Sequence, residues 1–307
     1  MRVLVVTNPR ATTTSARARD VLASSLASIG EVEVAVTANR GHAAAIACRA
    51  MRAGDTDAVI ALGGDGTVNE VVNGLLTDGV HPRVPAFGVV PAGSTNVVAR
   101  ALGLPNEPIE ATGQLLEALR AGRHRQISLG RVDDRWFVFG AGIGLDAAIV
   151  AAVEKRRSKG HRASNLLYAR AGIPTFLRTD RRHPRLHIEL PDGTTLDDVH
   201  MAIVTNTDPW TYVGDRPLRP TPQASFETGL ALYARRRMST AGFLYSMAAV
   251  SGERPRVGRR GAYLVHDLQS LVVRADEPMP VEVDGDFLGE REKLVLTSAS
   301  RAIRVLS

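Results

Sequence analysis

Between residues 2 and 121, short β-rich runs alternate with stretches of helical spacing. R-V-L-V-V-T (2–7) is followed by apolar positions at helical spacing over 15–29, and E-V-E-V-A-V (31–36) alternates with the period of a strand. A helix over 42–53 stops at Gly54, a natural C-cap. D-A-V-I-A-L (57–62) is nearly continuous in apolar character, as in a strand buried on both faces. A helix over 67–76, a strand over 86–90 and helices near 94–102 and 108–121 complete the series. Strand–helix repetition of this kind predicts a parallel sheet with helices on both faces, where ligands gather at the carboxyl ends of the strands.

After about residue 125 the pattern changes. Q-I-S-L-G-R-V, W-F-V-F, R-L-H-I-E-L, V-H-M-A-I-V, S-L-V-V-R-A, M-P-V-E-V-D and K-L-V-L-T read as strands. Only 145–156, 163–178 and 238–250 read as helices. The fold class expected is α/β, in two domains. A three-layer α/β/α domain covers 1–125 and is completed by 296–307; an antiparallel β-sandwich-like domain with inserted helices covers 126–295.

Composition adds little to the fold but narrows the setting. Hydrophobic residues make up 44% and charged residues 23%, an ordinary globular balance. Cys48 stands alone, so no intramolecular disulfide can form, and a reducing compartment is expected. The N-terminus turns polar too soon for a signal peptide, and the weakly polar run 136–153 is broken by Asp146 and three glycines. The expected location is the cytoplasm. The net charge of +6 is unevenly spread: ten basic residues lie between Glu154 and Arg185 against two acidic ones, and Arg235, Arg236 and Arg237 follow. Such patches suit an anionic partner: nucleic acid, acidic headgroups or a phosphorylated substrate.

The strongest chemical signal is L-G-G-D-G-T-V-N-E (62–70). It is neither G-x-G-x-x-G, because Asn69 stands at the last glycine position, nor a P-loop, because it has no lysine. It does run from a strand through glycines into a helix, where backbone N–H groups and the helix dipole favour an anion. Gly63, Gly64 and Gly66 allow close approach of the backbone, and Thr67 opens the helix. Asp65 is then a puzzle, a negative charge in the centre of a phosphate loop. No H-E-x-x-H, C-x-x-C or G-x-S-x-G is present to suggest another chemistry.

G-G-D-G-T-V-N-E resembles the signature of the diacylglycerol kinase catalytic-domain family, bacterial lipid kinases in particular, and more distantly that of NAD kinases and phosphofructokinases. Asn69-Glu70 matches the lipid-kinase pattern better. Asn8-Pro9, T-A-N-R-G-H-A (37–43), P-A-G-S-T-N-V-V-A-R (91–100) and V-D-G-D (283–286) resemble further family segments in the right order. G-A-G-I-G-L-D-A (140–147) is also similar to a family segment, but equally describes tight helix–strand packing with Asp146 as a cap.

The resemblance implies an ATP-binding first domain and a lipid-substrate second domain. It carries the nucleotide contacts onto Asn8, Thr37, Gly63, Gly64, Asp65, Gly66, Thr67, Val68, Asn69 and Ser94, the last a serine where the family has threonine. Its proton acceptor falls on Asp286, one methylene shorter than the family's glutamate, with Asp284 as the alternative base. The family's aspartate-rich, magnesium-binding segment maps onto 222–233, where only Glu227 remains as a metal candidate and Asp215 is a nearby substitute.

The activity implied is ATP- and Mg²⁺-dependent phosphorylation of a lipid hydroxyl, diacylglycerol giving phosphatidic acid. Backbone amides hold the phosphates, and a carboxylate takes the acceptor's proton. Asp65 then either bridges to the phosphates through Mg²⁺ or faces the acceptor. The implied partners are ATP, a lipid substrate and, through the basic stretch 155–185, an anionic membrane surface on which the enzyme sits peripherally. Nucleic acid is not expected; a homodimer is compatible with the sequence. The competing expectations are a kinase of a soluble acceptor, as in NAD kinase, and a non-catalytic nucleotide- or lipid-binding protein.

Overall fold

Three runs near the N-terminus leave almost nothing polar to face water. β1 (Arg2–Thr7), β3 (Ala58–Gly63) and β4 (Ala86–Pro91) are buried along nearly their whole length, whereas β2 (Glu31–Val36) keeps exposed positions. The parallel order β2-β1-β3-β4 explains this, because β2 is an edge strand and the others are flanked on both sides. The computed structural model describes all residues except 10, 12–15, 158–164, 181, 237, 254, 256 and 258–260. It divides into two units, Met1–Ser128 with Arg301–Ser307, and Leu129–Ser300.

In the first unit α1 (Ala16–Ala27), α2 (His42–Ala53), α3 (Asp65–Leu75), α4 (Val97–Ala101) and α5 (Pro108–Ala121) alternate with the strands. One core joins Leu22 and Leu26 of α1 and Leu115 and Ala118 of α5 to Val3, Val5, Ile60, Leu62 and Val90. On the strands these are alternate residues, so α1 and α5 cover one face. The other face receives α2 and α3, which contact β1 and β3. Gly74 lets α2 and α3 approach closely, since a Cβ there would collide with the Ala44 carbonyl. Val305, near the C-terminus, pairs in parallel with Phe87 of β4.

Strand β5 (His124–Val132) runs on into the second unit. There β6 (Arg135–Phe137), β7 (Gly140–Gly144), β8 (Leu186–Glu189), β9 (Thr195–Val199), β10 (Met201–Thr205), β11 (Thr211–Val213), β12 (Arg216–Leu218), β13 (Leu230–Arg235), β14 (Ala262–Leu268), β15 (Ser270–Val283) and β16 (Asp286–Leu306) follow. Helices α6 (Leu145–Arg157), α7 (Asn165–Arg178) and α8 (Thr240–Ala249) interrupt them. The antiparallel path β14-β13-β10-β7-β15-β16 turns on β15. One edge of β15 pairs with β8 through Val272–Ala275 and with β7 through Val281–Val283, with a register break between Arg274 and Met279.

A long strand with such a break can serve two sheet segments that pack face to face. Their shared core holds Leu186, Ile188 and Leu196 from one segment and Ile143, Val204 and Leu232 from the other. On β10, Ala202 and Val204 face this core, while Met201 and Ile203 face a second one with Leu145, Phe176, Tyr233 and Met238. A strand buried on both faces is why M-A-I-V-T is almost wholly apolar.

Two helix starts depart from the periodicity. α3 begins at Asp65 rather than 67, because Gly64, in extended conformation, is already the cap and takes Asp65 and Gly66 into the first turn. α4 begins at Val97 rather than 94, because Asn96 adopts a left-handed conformation at φ 52 and holds the preceding loop open.

Candidate active site

In the sheet order β2-β1-β3-β4 the chain passes from β1 to one side and then returns to β3 on the other. The crevice where ligands bind such sheets lies at this reversal, at the carboxyl ends of the strands. Asn8 follows β1, Thr37 follows β2, Gly63 closes β3 and Ser94 follows β4. Residues scattered over more than eighty positions of sequence thus share one edge of the first unit. Neighbouring strand ends are tied together there: the Asn8 amide donates to Leu62 O at 3.2 Å, and that of Thr37 to Thr7 O at 2.9 Å. Asn8 Nδ2 also donates to Thr67 Oγ1 at 3.4 Å.

The two loops of this edge meet backbone to backbone. A Cβ at Gly93 would lie 2.6 Å from Gly64 Cα and 2.9 Å from Asn96 Oδ1; one at Gly64 would lie 3.0 Å from Gly93 Cα. Carbon atoms pack at ~3.5–4 Å, so neither position admits a side chain without movement. Asn96 shapes the second loop from within. Its Oδ1 accepts from Gly93 N at 2.8 Å, and its Nδ2 donates to Gly93 O at 3.1 Å and to Asn106 Oδ1 at 2.8 Å. Gly63 is bare for a similar reason, because Thr67 Cβ would be 2.6 Å from an added carbon. Asn69 is fully buried, with its carbonyl and Oδ1 accepting from Asn73 Nδ2 at 2.9 and 3.1 Å.

Both acids of the loop turn to neighbouring helix ends. Asp65 Oδ1 accepts from Val98 N, in the first turn of α4, at 3.1 Å. Burial pushes the Asp65 carboxyl above the usual carboxylate range, against the downward pull of backbone N–H groups led by Val98. Glu70 accepts from Gly41 N at 2.8 Å and Ala43 N at 3.1 Å, at the start of α2. Acids are favoured at such ends, where amide N–H groups lack helical partners. Asp65 and Glu70 therefore hold the segments 96–98 and 41–43 onto α3.

In the second unit V-D-G-D forms a two-residue hairpin turn. Val283 pairs with Asp286, while Asp284 at φ 48 and Gly285 at φ 80 make the reversal between β15 and β16. Positive φ at both central positions is the Asp-Gly hairpin geometry. Asp284 is buried. Its Oδ2 accepts from Val138 N at 2.7 Å, and its Oδ1 from Phe139 N at 3.0 Å and Gly140 N at 3.1 Å. Asp286 lies beyond the turn, its carboxylate 3.8 Å from the Arg135 guanidinium.

Residues 2–132 match the diacylglycerol kinase catalytic domain. These residues belong to that family. The chain is 24% identical over 270 residues to the diacylglycerol kinase of Staphylococcus carnosus (strain TM300), covering 85% of this chain and 79% of that protein. It is 44% identical over 88 residues to the Bacillus subtilis (strain 168) diacylglycerol kinase, but over only 29% of this chain and 27% of that one. The crystal structure of a diacylglycerol kinase from Bacillus anthracis str. Sterne superposes with a TM-score of 0.73 at 18% identity, over 99% of this chain and 96% of the other. At that identity the likeness is one of fold, and it extends through the second unit. The family resemblance drawn from G-G-D-G-T-V-N-E is thus correct, and the enzyme class is phosphotransferase with an alcohol acceptor.

Around the diacylglycerol kinase domain, other expected residues are placed less tellingly. Glu227 is exposed in the turn before β13, while Ala231 and Leu232 are core residues of that strand. Asp215 is exposed between β11 and β12. Among the described residues no group of three or more His, Cys, Asp or Glu could hold a metal ion. Arg235 is not part of a surface patch: it is buried, and its guanidinium donates to Ser246 Oγ. Arg236 lies 3.5 Å from Asp198. Lys159, Arg162, Arg181 and Arg237 lie outside the described residues. No helix among the described residues is long and apolar enough to cross a membrane.

Sequence reasoning missed the organising roles of Gly93 and Asn96, although their segment was identified. An asparagine three residues after a glycine, just before an apolar helical run, is the signal that could have found them. It also missed Glu282, which the alternation of V-E-V-D assigns to a strand face without revealing what that face meets.

Proposed function

We propose that the chain transfers the γ-phosphoryl group of ATP to the hydroxyl of a membrane lipid, with diacylglycerol giving phosphatidic acid. The observation that carries this reading is the family's glycine loop, 63–67, set at the carboxyl-end reversal of a parallel sheet and opening α3. The start of α3 suits the triphosphate, since the amides of Asp65 and Gly66 precede the first backbone bond of the helix, Thr67 N to Gly64 O at 2.9 Å. Gly63, Gly64 and Gly66 admit it closely, with Asn8, Thr37, Val68, Asn69 and Ser94 around the same edge.

Asp286 is the base in this proposal. Asp284 already accepts three backbone N–H bonds, and Asp65 is engaged with α4. In the reaction the acceptor oxygen forms a bond to the γ-phosphorus, its proton passes to the Asp286 carboxylate, and the bond from γ-phosphorus to the bridging oxygen breaks to release ADP. A Mg²⁺ ion bound with the nucleotide would supply neutralisation of the phosphate charge. The donor edge fits an ion delivered this way. Glu70 is engaged through both oxygens at the start of α2, so Asp65, whose Oδ1 accepts from Val98 N, is the acid of the loop that would help to hold such an ion. Glu227 is not assigned a metal.

An anionic membrane surface is the partner proposed for the second unit. α8 contains no charged residue, yet Leu244 and Tyr245 are exposed. Ile173 and Leu177 are exposed on α7, which stacks on α8 through Phe176 and Phe243 at 4.6 Å. Arg170 and Arg178, also exposed, lie on α7 with them. Apolar residues rimmed by arginine suit the boundary between headgroups and acyl chains.

Radiolabel transfer from ATP tests the function, with diacylglycerol, sphingosine and NAD as separate acceptors. Labelled phosphatidic acid is expected. Labelled NADP instead would establish a kinase of a soluble acceptor, and ATP binding without any labelled product would establish a non-catalytic protein.

A further inference from the structure

The hairpin that carries Asp286 rests on two acids the mechanism does not use. Glu282, two residues before Asp284 on β15, is buried. Its Oε2 accepts from Gly285 N, the apex of the hairpin, at 2.7 Å. Asp146 comes from the first turn of α6, and its Oδ2 is buried with no donor to bond. Both acids converge over Gly142 of β7: a Cβ there would collide with Asp146 Oδ2 and lie 2.8 Å from Glu282 Oε1. G-A-G-I-G-L-D therefore needs its middle glycine because two carboxyl groups occupy the space above it.

Two ionised carboxylates do not readily share such a space, since each repels the other and burial penalises both charges. A single proton between them removes one charge and provides the donor that Asp146 Oδ2 lacks. We propose that Asp146 and Glu282 share one proton, and that this pair is a positioning element fastening the Asp284-Gly285-Asp286 turn to the start of α6. The rest of the turn is held from β6 and β7: Asp284 binds the amides of 138–140, and its own N–H donates to Gly140 O at 2.9 Å. Further along α6, Glu154 accepts from Phe287 N at 3.4 Å, just past Asp286. Asp286 is thus approached from both sides, and only the Asp146–Glu282 contact depends on a proton.

The titration of the pair agrees with the geometry. Burial pushes Asp146 up to about 6, while Glu282 is raised well above the ordinary range by burial and then by the Asp146 charge. The other charged groups that face this region are Asp284 from the turn, Glu154 on α6, and Asp286 with Arg135. Two interacting acids titrate as a unit. The folded pair keeps a proton that the unfolded carboxyls release near pH ~4, so folding stability falls as pH rises from there through the pair's own titration.

The inference rests on Asp286 as the base, and the test separates the two. Melting temperature is measured against pH for the full chain and for Glu282→Gln, whose amide can donate to Asp146 while its carbonyl accepts from Gly285. The unmodified chain should lose about 3 °C or more relative to the variant between mildly acidic and alkaline pH. Parallel curves would overturn the shared proton. In kinetics, Glu282→Ala should lower kcat about tenfold or more with the KM for ATP unchanged; loss of the shared proton should make kcat of the unmodified chain fall at alkaline pH, and Glu282→Gln should restore most of the activity and remove that alkaline fall. A Glu282→Ala enzyme with undiminished kcat would overturn the positioning role. Should Glu282→Ala fail to fold, Asp146→Asn replaces it, with the same loss of the alkaline fall expected and an unchanged pH profile counting against the proposal. A fully active Asp286→Asn would remove the base assignment while leaving the melting result standing.

Discussion

Replacing Gly93 by alanine tests whether the touching loops set the donor edge. The added carbon would lie 2.6 Å from Gly64 Cα and 2.9 Å from Asn96 Oδ1. Restoring ordinary carbon–carbon separation of ~3.5–4 Å requires the loops to part by about 1 Å. Neither neighbour is the tip of a flexible side chain. One is backbone at the cap of α3, and the other is the amide that organises residues 93–96. Displacements near 1 Å cost on the order of 10²-fold in rate when they misplace reacting groups. Overpacking of this kind also destabilises by about 1–3 kcal/mol.

The expected result is therefore a fall of about a hundredfold in kcat/KM for the proposed ATP-dependent lipid phosphorylation, with a modest drop in melting temperature. Gly113→Ala is the matched control. It lies inside α5 at an exposed position, nothing is within 4 Å of an added Cβ, and alanine there should stabilise by roughly 0.5–1 kcal/mol without affecting turnover. If Gly93→Ala kept kcat/KM within about threefold of the unmodified enzyme, the loops would not be coupled in the way their contact indicates.

The two aspartates of the hairpin should separate cleanly. Asp284→Ala strands three backbone N–H groups and should cost at least about 3 kcal/mol in a denaturant melt. Asp286→Asn should leave that melt nearly unchanged while lowering kcat by about 10²–10⁴-fold. Glu70→Ala removes the acceptor for Gly41 and Ala43 and should destabilise by about 1 kcal/mol, seen as earlier thermal unfolding. In vesicle co-sedimentation, Leu244→Asp should weaken binding to phosphatidylglycerol vesicles without altering turnover of a short-chain, dispersed lipid. If size-exclusion chromatography showed that the same change splits a dimer, the exposed face would belong to a second copy.

What the sequence revealed and what it concealed differ in physical kind. The strands of the first unit were legible because burial on both faces forces runs such as A-V-I-A-L-G, and that pattern needs no partner to be recognised. The family was legible because G-G-D-G-T-V-N-E packs several constraints into adjacent positions: Gly63 against Thr67, Gly64 against Gly93, and Glu70 against the start of α2. Long-range pairings were not legible. Nothing about position 282 announces that its carboxyl meets Asp146, 136 residues earlier by number (282 less 146), because alternation reports only which side of a strand a residue takes. The turn at Asp284-Gly285 was undecided for a related reason. Asp-Gly is a hairpin signal, but whether Asp284 faces solvent or binds three amides depends on residues 138–140.

The same distinction resolves the aspartate in the phosphate loop. Within its own loop, the Asp65 charge opposes anion binding. In the fold its carboxylate meets the start of α4, and Glu70 meets the start of α2, so two helix N-termini at this edge are already matched with acids. The N-terminus of α3 itself has Gly64 as its cap, with no side-chain acceptor. A phosphate bound at the proposed site would meet two helix starts already matched with acids, and at α3 itself would share the first turn with Asp65, whose carboxyl is held by Val98 N. Asp65→Asn preserves an oxygen for Val98 and removes the charge whose burial raises the carboxyl. Its stability should therefore be equal or greater, and less dependent on pH above ~4, where the native protein bears the cost of ionising Asp65. ATP affinity decides what the charge contributes. If Asp65 only fastens α4, affinity measured by calorimetry without Mg²⁺ should rise in the variant, because one repulsive charge is gone. If Asp65 also helps to hold the nucleotide's metal, affinity in excess Mg²⁺ should fall while the metal-free value rises. Unchanged affinity in both conditions would refute any electrostatic contact between Asp65 and the nucleotide.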